Sequence, residues 1–469
     1  MVNKKYDFSI LENLTRLDWI IFFAVLVITL FAVYIGNYVT RHKNNSFNLI
    51  EHLVMGRKLT LPLFVGTLVA TWYGGIFGVT QIAFEKGIYN FITQGFFWYV
   101  AYLIFAFFMV GKISQHEALT LPDLIGKMFG PKSRKVAAIF NFFNVVPIAY
   151  IISLGLFIKT FTGWSLEASM VSGLAVVLSY SLWGGLRSVV ISDMVQFFVM
   201  VTSVFLVILF SYSQFGGLSF LKEQLSPKYF TITSDENYWQ LFAWGFIALS
   251  TLVDPNFYQR CFAAKKPQVA KKGILISTLV WVIFDLCTTF GAMYAKAVIP
   301  HASSGEAYLI YSINLLPGGL KGFFLAGILA TILSTLDSYL FLAGSTLTYD
   351  LSPRKFSKKS GYHILGILFV GFLGILMASI FEGDIKLVWK TLGSYSAGCL
   401  LFPVVYGYLS HRKISDLSFV ATCLVSAFTM TLWRLFPQEV LGTQIDSLYI
   451  GVLTSFIMLL STSWPSKAS

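Results

Sequence analysis

Charged residues are scarce in this sequence. Asp, Glu, Lys and Arg make up only 12% of the 469 residues, whereas hydrophobic residues make up 56%. A soluble globular protein uses about 25% charged residues to cover its surface. The chain lacks that polar surface, which excludes a water-soluble protein and predicts an all-α polytopic protein of the lipid bilayer.

Cysteine and histidine are also rare. The four cysteines, at 261, 287, 399 and 423, lie in or beside apolar segments without paired spacing, which argues against a disulfide framework and a zinc site. The six histidines fall mainly in loops and lack the His-Glu-x-x-His spacing of a membrane-embedded metalloenzyme. We therefore expect no enzymatic activity and no catalytic residues.

The chain has no long hydrophilic segment in which a soluble domain could fold. The longest polar stretches, about 213 to 237 and 298 to 319, are each too short for an independent core. The formal net charge of +12 comes from basic residues in short clusters between apolar runs, which is typical of membrane loops and not of nucleic-acid binding. We expect a lipid bilayer and a small-molecule solute as partners, without nucleic acid or an obligate protein partner.

Apolar runs are what the sequence has in abundance, and about 20 such residues suffice to cross a bilayer. We predict that residues 1–469 form one transmembrane domain, with a retained first helix and a short interfacial helix at 119 to 130. The thirteen predicted spans are 17–39, 60–82, 90–112, 134–158, 165–185, 189–212, 238–259, 271–297, 320–348, 362–382, 386–410, 416–434 and 446–463.

Basic residues orient these spans, because Lys and Arg concentrate in cytoplasmic loops. If the amino terminus lies outside the cell, 22 of the 34 basic residues fall on the inner side, including Arg260 and a cluster at 354 to 359. We predict a multi-pass protein of the cell membrane with its amino terminus outside and its carboxyl terminus in the cytoplasm.

Two of the predicted spans contain residues that interrupt helices. The span 60–82 holds Gly74, Gly75 and Gly78, and each glycine weakens a helix by about 1 kcal/mol. The span 238–259 holds Pro255, which lacks a backbone donor. A close helix crossing could also explain the glycines. Two broken spans separated by four intact ones are, however, typical of inverted-repeat transporters, whose sites lie at the unwound segments.

Several polar groups lie inside the apolar runs, where an unpaired aspartate costs roughly 2.5 to 3.5 kcal/mol. Asp254 could be a local helix cap or a solute contact, and Asp285 could bond a neighbouring helix. Lys390 could extend toward the membrane surface or contact solute. It is the only cation that we expect within a buried span, and we expect no arginine near the middle of the membrane. The remaining acids are Asp193 and Asp337.

One face of the span 320–348 is rich in oxygen atoms. The side chains related by steps of three and four are those of Thr331, Ser334, Thr335, Asp337 and Ser338. Such a face suits a hard, dehydrated cation. The hydroxyl groups could instead bond back to their own helix or join two helices.

Three ordered segments resemble the sodium/solute symporter family, which includes sodium-coupled sugar, proline, pantothenate and sialic acid carriers. They are SLWGGLRSVVISDMVQ at 181–196, NFYQRCFAAKKPQVAKKG at 256–273 and AGILATILSTLDSYLFLAGSTLTYDL at 326–351. The resemblance covers nearly the whole chain. It implies a LeuT-like core of two inverted five-helix repeats, 60–212 and 238–410, with accessory helices at 17–39, 416–434 and 446–463.

The resemblance also implies Na⁺ as the coupling ion and a site between the second and ninth spans. Its ligands would be the backbone carbonyls of Ala70, Tyr73 and Thr331 and the hydroxyls of Ser334 and Thr335. Some members of the family have a second cation site, which here corresponds to Asp193, Ser334, Asp337 and Ser338. Most members have a neutral residue in place of Asp337, so its carboxylate could strengthen a second sodium site, carry a proton or take part of a solute's positive charge.

The interrupted spans and the helices that face them supply the candidate solute contacts. These are Thr71, Trp72, Gly75, Phe77, Gln81, Asn144 and Asp254. We predict sodium-coupled symport of a small polar organic solute by alternating access. The alternatives are proton-coupled symport by the same fold and an ion channel, although a channel needs a continuous polar pore rather than polar residues clustered at one depth.

Overall fold

The computed structural model describes residues 11–43, 48–182, 185–353, 359–409, 412–436, 439–440 and 443–465. These residues are almost entirely helical. The α-helices are α1 (Arg16–Lys43), α2 (Leu49–Val54), α3 (Leu61–Ala70), α4 (Ile76–Lys86), α5 (Phe97–Ile104), α6 (Val110–Ile113), α7 (Leu121–Met128), α8 (Pro131–Val145), α9 (Ile148–Thr162), α10 (Leu166–Ser181), α11 (Gly185–Phe215), α12 (Leu218–Gln224), α13 (Tyr238–Leu249), α14 (Pro255–Ala263), α15 (Pro267–Val298), α16 (Ala307–Leu315), α17 (Leu320–Ser345), α18 (Ser360–Ile380), α19 (Ile385–Ser396), α20 (Phe402–Leu409), α21 (Asp416–Leu435) and α22 (Ser447–Thr462).

Short segments of other geometry complete the described secondary structure. Single 3₁₀ turns occur at Leu11–Asn13, Met55–Arg57, Pro227–Phe230 and Ser250–Val253, and π-helical segments occur at Phe91–Phe96, Phe105–Met109, Thr346–Leu351 and Ala397–Leu401. Two antiparallel pairs of two-residue strands join β1 (Arg412–Lys413) to β4 (Trp464–Pro465) and β2 (Glu439–Val440) to β3 (Thr443–Gln444).

Each of the thirteen predicted spans coincides with a helical segment of the structure. Within the described residues, eight helical stretches are long and apolar enough to cross a membrane, and three shorter apolar helices, α3, α10 and α22, lie among them. The all-α membrane architecture is therefore confirmed, and the number of thirteen crossings stays a prediction. A short helix, α7, also lies where the sequence predicts an interfacial helix.

The polar stretches between spans contain helices that the sequence analysis missed. Helix α12 lies within 213–237, and α16 lies within 298–319. Most of α16 is buried, including Tyr308, Tyr311 and Ser312, because the helix packs against α15 and α4. Its apolar residues were too few in a row to predict a span, although they suffice to cover the bundle.

The helices break at both positions predicted from glycine and proline. The second span divides into α3 and α4, and the seventh divides into α13, a 3₁₀ turn and α14. The prediction of four intact spans between them is wrong, because α8 ends at Val145 and α9 begins at Ile148. Pro147 explains this third break, since its ring removes a donor and clashes with the preceding turn.

Helix α17 forms the centre of the molecule. In its most apolar stretch, 94% of the residues are buried, against 28% for α1 at the periphery. It packs against α11, α1, α18 and α9. A helix that is covered on all sides can present polar groups only to other parts of the protein, so the oxygen-rich face of α17 faces the bundle interior.

Candidate ion and solute sites

The first break frees backbone groups beside α17. Thr71 and Gly75 have φ and ψ values of −90° and 23° and of −93° and 34°, which end one helix and start the next. The Ala70 carbonyl accepts hydrogen bonds from Ser334 Oγ at 2.7 Å and from Thr335 Oγ1 at 3.4 Å. In an unbroken helix the Ala70 carbonyl would accept a hydrogen bond from its own helix. Here it accepts hydrogen bonds from two hydroxyls of α17 instead.

The same two hydroxyls also contact carbonyls of their own helix. Ser334 Oγ lies 2.8 Å from the Ala330 carbonyl and 3.2 Å from the Thr331 carbonyl, and Thr335 Oγ1 lies 3.0 Å from the Thr331 carbonyl. Ala70, Thr331, Ser334 and Thr335 are all fully buried. The structure thus brings together four of the five predicted sodium ligands.

Glycine at position 74 makes this close approach feasible. A Cβ atom at Gly74 would lie 2.5 Å from Thr335 Cβ and 2.7 Å from Tyr150 Cδ1. Real side chains do not tolerate such distances, so any larger residue would push the break away from α17.

Tyr73 is the fifth predicted sodium ligand, and its side chain attaches the first break to α15. Its hydroxyl donates to Asp285 on α15, which also accepts a hydrogen bond from the Tyr99 hydroxyl on α5. Asp285 therefore bonds neighbouring helices, as the sequence analysis considered. The Tyr73 ring also packs on Phe284, with ring centroids 4.1 Å apart.

A buried arginine lies among the predicted ligands of the second cation site. Arg260 Nη2 donates to Ser338 Oγ at 2.9 Å and to Thr67 Oγ1 at 3.2 Å, and it lies 4.0 Å from Asp193 Oδ2. The side chain of Arg260 is fully buried. The predictions that Arg260 belongs to a cytoplasmic loop and that Lys390 is the only buried-span cation are wrong. Helix α14 runs to Ala263, past the predicted end of its span, and packs against α3 and α17.

The other two predicted ligands of the second site have different partners. Asp337 accepts a hydrogen bond from Ser181 at the end of α10, and Ser334 faces the Ala70 carbonyl. Asp193 Oδ2 accepts a hydrogen bond from Thr67 Oγ1. The structure thus joins Asp193 and Ser338 through Arg260 and directs Asp337 and Ser334 elsewhere.

A cavity of about 120 Å³ lies between the two predicted breaks. Its lining residues come from six of the thirteen predicted spans, so no single helix encodes it. The lining residues are Trp72, Tyr73, Val79, Gln94, Trp98, Asn144, Val146, Ala149, Tyr150, Ile247, Ser250, Asp254, Tyr339, Val388, Trp389, Leu392 and Gly393.

Three of the seven predicted solute contacts, Trp72, Asn144 and Asp254, line this cavity. The other four lie outside its lining. Thr71 donates to the Thr67 carbonyl and accepts from Asn256, Gly75 packs under the Trp389 ring, Phe77 is buried in the core, and Gln81 donates to Glu85 and Ser304.

Most of the aromatic wall was not predicted from the sequence, including Trp98, Tyr150, Tyr339 and Trp389. These residues come from four different helices and share no spacing in the sequence. The one local signal is the pair Gly75 and Gly78, since Cβ atoms there would lie 2.0 Å and 3.2 Å from Trp389 ring atoms.

Asp254 is a helix cap, one of the two roles that the sequence left open, and its place in the cavity lining is compatible with the other. Its Oδ1 accepts hydrogen bonds from the backbone N–H groups of Asn256 at 2.8 Å and Phe257 at 3.4 Å, which caps α14, and the residue also lines the cavity. Lys390 points away from the cavity. Its side chain is 41% exposed and forms an ion pair with Asp446 at 3.2 Å.

Comparisons with known proteins identify the family and the fold. The sodium:solute symporter family model matches residues 52–406. The sodium/glucose cotransporter of Vibrio parahaemolyticus is 25% identical over 52% of this chain and 52% of its own length, so that match spans about half of the relative. The high-affinity proline transporter PutP of Bacillus subtilis is 25% identical over 75% of this chain and 78% of its own.

A solved structure shares the fold. The substrate-bound, outward-open state of a Na⁺-coupled sialic acid symporter superposes with a TM-score of 0.75 at 16% identity, covering 97% of each chain. The prediction of an all-α, LeuT-like fold is thus confirmed. The family match covers most of the chain and confirms a sodium-coupled solute symporter of the membrane, with Na⁺ as coupling ion, rather than an enzyme: this chain belongs to the sodium:solute symporter family.

Proposed function

We propose that the chain moves a small organic solute together with Na⁺ by alternating access, and that one Na⁺ binds between the first break and α17. The observation that carries this proposal is the Ala70 carbonyl, which leaves its helix and meets Ser334 and Thr335. Hydroxyl and carbonyl oxygens are the ligands that hard cations prefer. The proposed ligands are the carbonyls of Ala70, Tyr73 and Thr331 and the two hydroxyls.

The hydroxyl groups can change partner without losing their hydrogen bonds. When Na⁺ coordinates the Ala70 carbonyl and a hydroxyl oxygen, the hydroxyl proton must point elsewhere. Ser334 has the Ala330 carbonyl within 2.8 Å, and Thr335 has the Thr331 carbonyl within 3.0 Å. Both protons can therefore turn to α17, so ion binding leaves no buried donor unsatisfied.

Ion and solute are coupled because they share the segment of residues 71 to 75. Ala70 precedes this segment and contributes to the ion site, and Trp72 and Tyr73 within it line the cavity. Each ligand fixes the segment that the other needs, so each raises the affinity of the other, an effect typically worth about 1 to 3 kcal/mol. A sodium gradient then drives solute movement as the bundle changes state.

We propose the predicted orientation, with the amino terminus outside and the carboxyl terminus in the cytoplasm. The charge asymmetry of the loops supports it. Of the residues counted for it, Arg354, Lys355, Lys358 and Lys467 lie outside the described residues. The division into repeats 60–212 and 238–410 is supported by breaks in the first helix of each.

The arrangement around Arg260 favours one Na⁺ over two. At Asp193 and Ser338 the positive charge of a second cation is already supplied by the Arg260 guanidinium. A second Na⁺ there would meet a like charge in a buried place, which is unfavourable. We propose that Arg260 replaces the second cation predicted at Asp193, Ser334, Asp337 and Ser338.

The ion site can be tested before the solute is known. We expect Na⁺, compared with K⁺, to raise the melting temperature of the purified protein, and we expect Ser334→Ala with Thr335→Ala to abolish this rise. Ser345→Ala is the matched control, since Ser345 is a buried hydroxyl of the same helix farther along the chain. An undiminished Na⁺ response in the double variant would contradict the proposed site.

A further inference from the structure

The wall of the solute cavity combines aromatic rings with a single carboxylate. Its aromatic members are Trp72, Tyr73, Trp98, Tyr150, Tyr339 and Trp389. Tyr150 and Tyr339 meet edge to face, with centroids 4.9 Å apart. Among the lining residues that the structure describes, the other polar groups are the neutral Gln94, Asn144 and Ser250, and the one acid is Asp254.

The part of the lining that the structure describes contains no lysine, arginine or histidine. The basic residues near it in the chain have other partners, and Lys386 pairs with Glu85 at 3.2 Å. Lys390 follows Trp389 but pairs with Asp446 at 3.2 Å and borders a separate surface pocket. Arg260 donates to Ser338, Thr67 and Gln259. It also attracts Asp254 electrostatically, but it does not itself line the cavity. A negatively charged solute would therefore find no positive side chain in the cavity.

The helix end at the second break does not offer an anion site either. The amino terminus of a half-helix usually attracts an anionic group of the solute, because its backbone N–H groups are free. At α14 the N–H groups of Asn256 and Phe257 already donate to Asp254 Oδ1. The protein's own carboxylate takes this place and would repel a second anion.

These observations match a cation instead. Aromatic rings attract a positive charge through their negative faces, and more strongly where water is excluded. A carboxylate beside them adds charge attraction. The cavity volume of about 120 Å³ is sufficient for a small charged group, since a cavity of about 150 Å³ holds one benzene molecule.

We propose that the solute carries a positively charged nitrogen, bound between Asp254 and the aromatic wall that includes Trp389. This inference rests on the proposed function and names the chemical class of its solute. It excludes carboxylic acids without an ammonium group and neutral sugars as the main solutes, and it assigns Asp254 the role of selecting charge.

Pairs of compounds with the same shape and different charge test the proposal. The full-length protein is purified, and its melting temperature is measured in Na⁺ or K⁺ with choline, with its neutral carbon isostere 3,3-dimethylbutan-1-ol, with ethanolamine, with glycine betaine, with glucose and with a sialic acid. We expect at least one ammonium compound to raise the melting temperature more in Na⁺ than in K⁺, and we expect no effect of the neutral isostere or of the two sugars.

Two results would overturn the proposal. One is Na⁺-dependent binding of a sugar or a pure anion, and the other is a response to Na⁺ alone with no response to any ammonium compound. Failure of the proposed function looks different, because the protein would then show no response to Na⁺ in the absence of solute.

A variant separates the charge of Asp254 from its capping role. Asn also caps helices well, so Asp254→Asn is expected to fold and to respond to Na⁺ but to bind the ammonium compound about tenfold more weakly. Asp384→Asn is the matched control, since Asp384 caps α19 through Leu387 N at 2.9 Å and is exposed. Unchanged ammonium binding in Asp254→Asn would refute the role of Asp254.

The aromatic contribution has its own pair of variants. Trp389→Phe keeps an aromatic face, and Trp389→Leu removes it while leaving an apolar side chain. We expect the ammonium affinity to fall several-fold further in Trp389→Leu than in Trp389→Phe. Equal affinities in the two variants would show that the ring acts only by filling space.

Discussion

The two breaks predicted from glycine and proline satisfy their backbone groups in different ways. The first contains glycines, and its Ala70 carbonyl depends on Ser334 and Thr335 of another helix. The second contains Pro255 and is satisfied locally: Asp254 caps its own helix, and the Tyr258 hydroxyl donates to the Leu252 carbonyl at 3.0 Å.

This difference indicates that the two breaks have different roles. A break that satisfies its own groups keeps its shape when a neighbouring helix moves, whereas a break that depends on another helix responds to the position of that helix. An ion can take the place of hydroxyl protons at the first break. The second break instead contributes fixed charges, those of Asp254 and Arg260.

The largest expected effect concerns the fixed charge near the second break. Arg260→Ala leaves the Asp193 carboxylate buried without its nearest cation, so we expect the free energy of unfolding to fall by about 3 to 5 kcal/mol. Asp193→Asn in the same chain should restore part of this loss. Denaturation of the purified protein measures both.

Lys390→Ala serves as the control for Arg260. It removes an exposed partner of Asp446, and such a change is expected to cost at most about 1 kcal/mol. If Arg260→Ala were no more damaging than Lys390→Ala, the ion pair with Asp193 would not stabilise the fold.

A smaller loss of stability is expected from crowding the first break. Gly74→Ala places a Cβ within 2.5 Å of Thr335, which should cost about 1 to 3 kcal/mol and abolish the response of the melting temperature to Na⁺. Gly111→Ala is the matched control, because a Cβ there meets nothing within 4 Å. A normal Na⁺ response in Gly74→Ala would show that the ion does not need close contact between this break and α17.

The cap of the second break should contribute less. Asp254→Ala removes both hydrogen bonds to α14, and loss of such a cap typically costs about 1 kcal/mol. Asp254→Asn should lose less, since an amide oxygen also accepts these bonds. The melting temperatures of the two variants without solute measure the cap alone. If both variants lost the same stability, the charge of Asp254 and not its hydrogen bonds would stabilise the break.

The smallest effect is expected at Asp337, whose carboxylate accepts a hydrogen bond from Ser181 of α10. Asp337→Asn keeps an acceptor, so we expect a loss of about 1 kcal/mol or less, with an unchanged Hill coefficient for sodium. Uptake measured across sodium concentrations and pH checks this. A lower coefficient would restore the second sodium site, and loss of pH dependence would identify a proton carrier.

Local chemistry explains which features were predictable. Gly74, Gly75 and Pro255 disturb helices wherever they occur, and Ser334 and Thr335 lie on one helical face, so both breaks and the oxygen-rich face follow from the sequence. Asp285 could be expected to find a partner because a buried carboxylate needs one.

Features that depend on several helices were not predictable. Arg260 is a charged residue near the end of an apolar run, and only the packing of α14 against α3 and α17 shows that it is buried. Trp98 and Trp389 line the cavity because their helices meet there. The spacing of the two residues in the sequence does not predict this meeting. Pro147 could have been recognised as a third break by the reasoning applied to Pro255.

The break at Pro147 has a mechanical consequence. Asn144 and Val146 before it and Ala149 and Tyr150 after it all line the cavity, so a third divided helix borders this cavity. Each divided helix has two rigid halves joined by a few adjustable dihedral angles. One end of the cavity can therefore widen while the other stays closed. The three helix breaks can act as separate hinges around the same cavity.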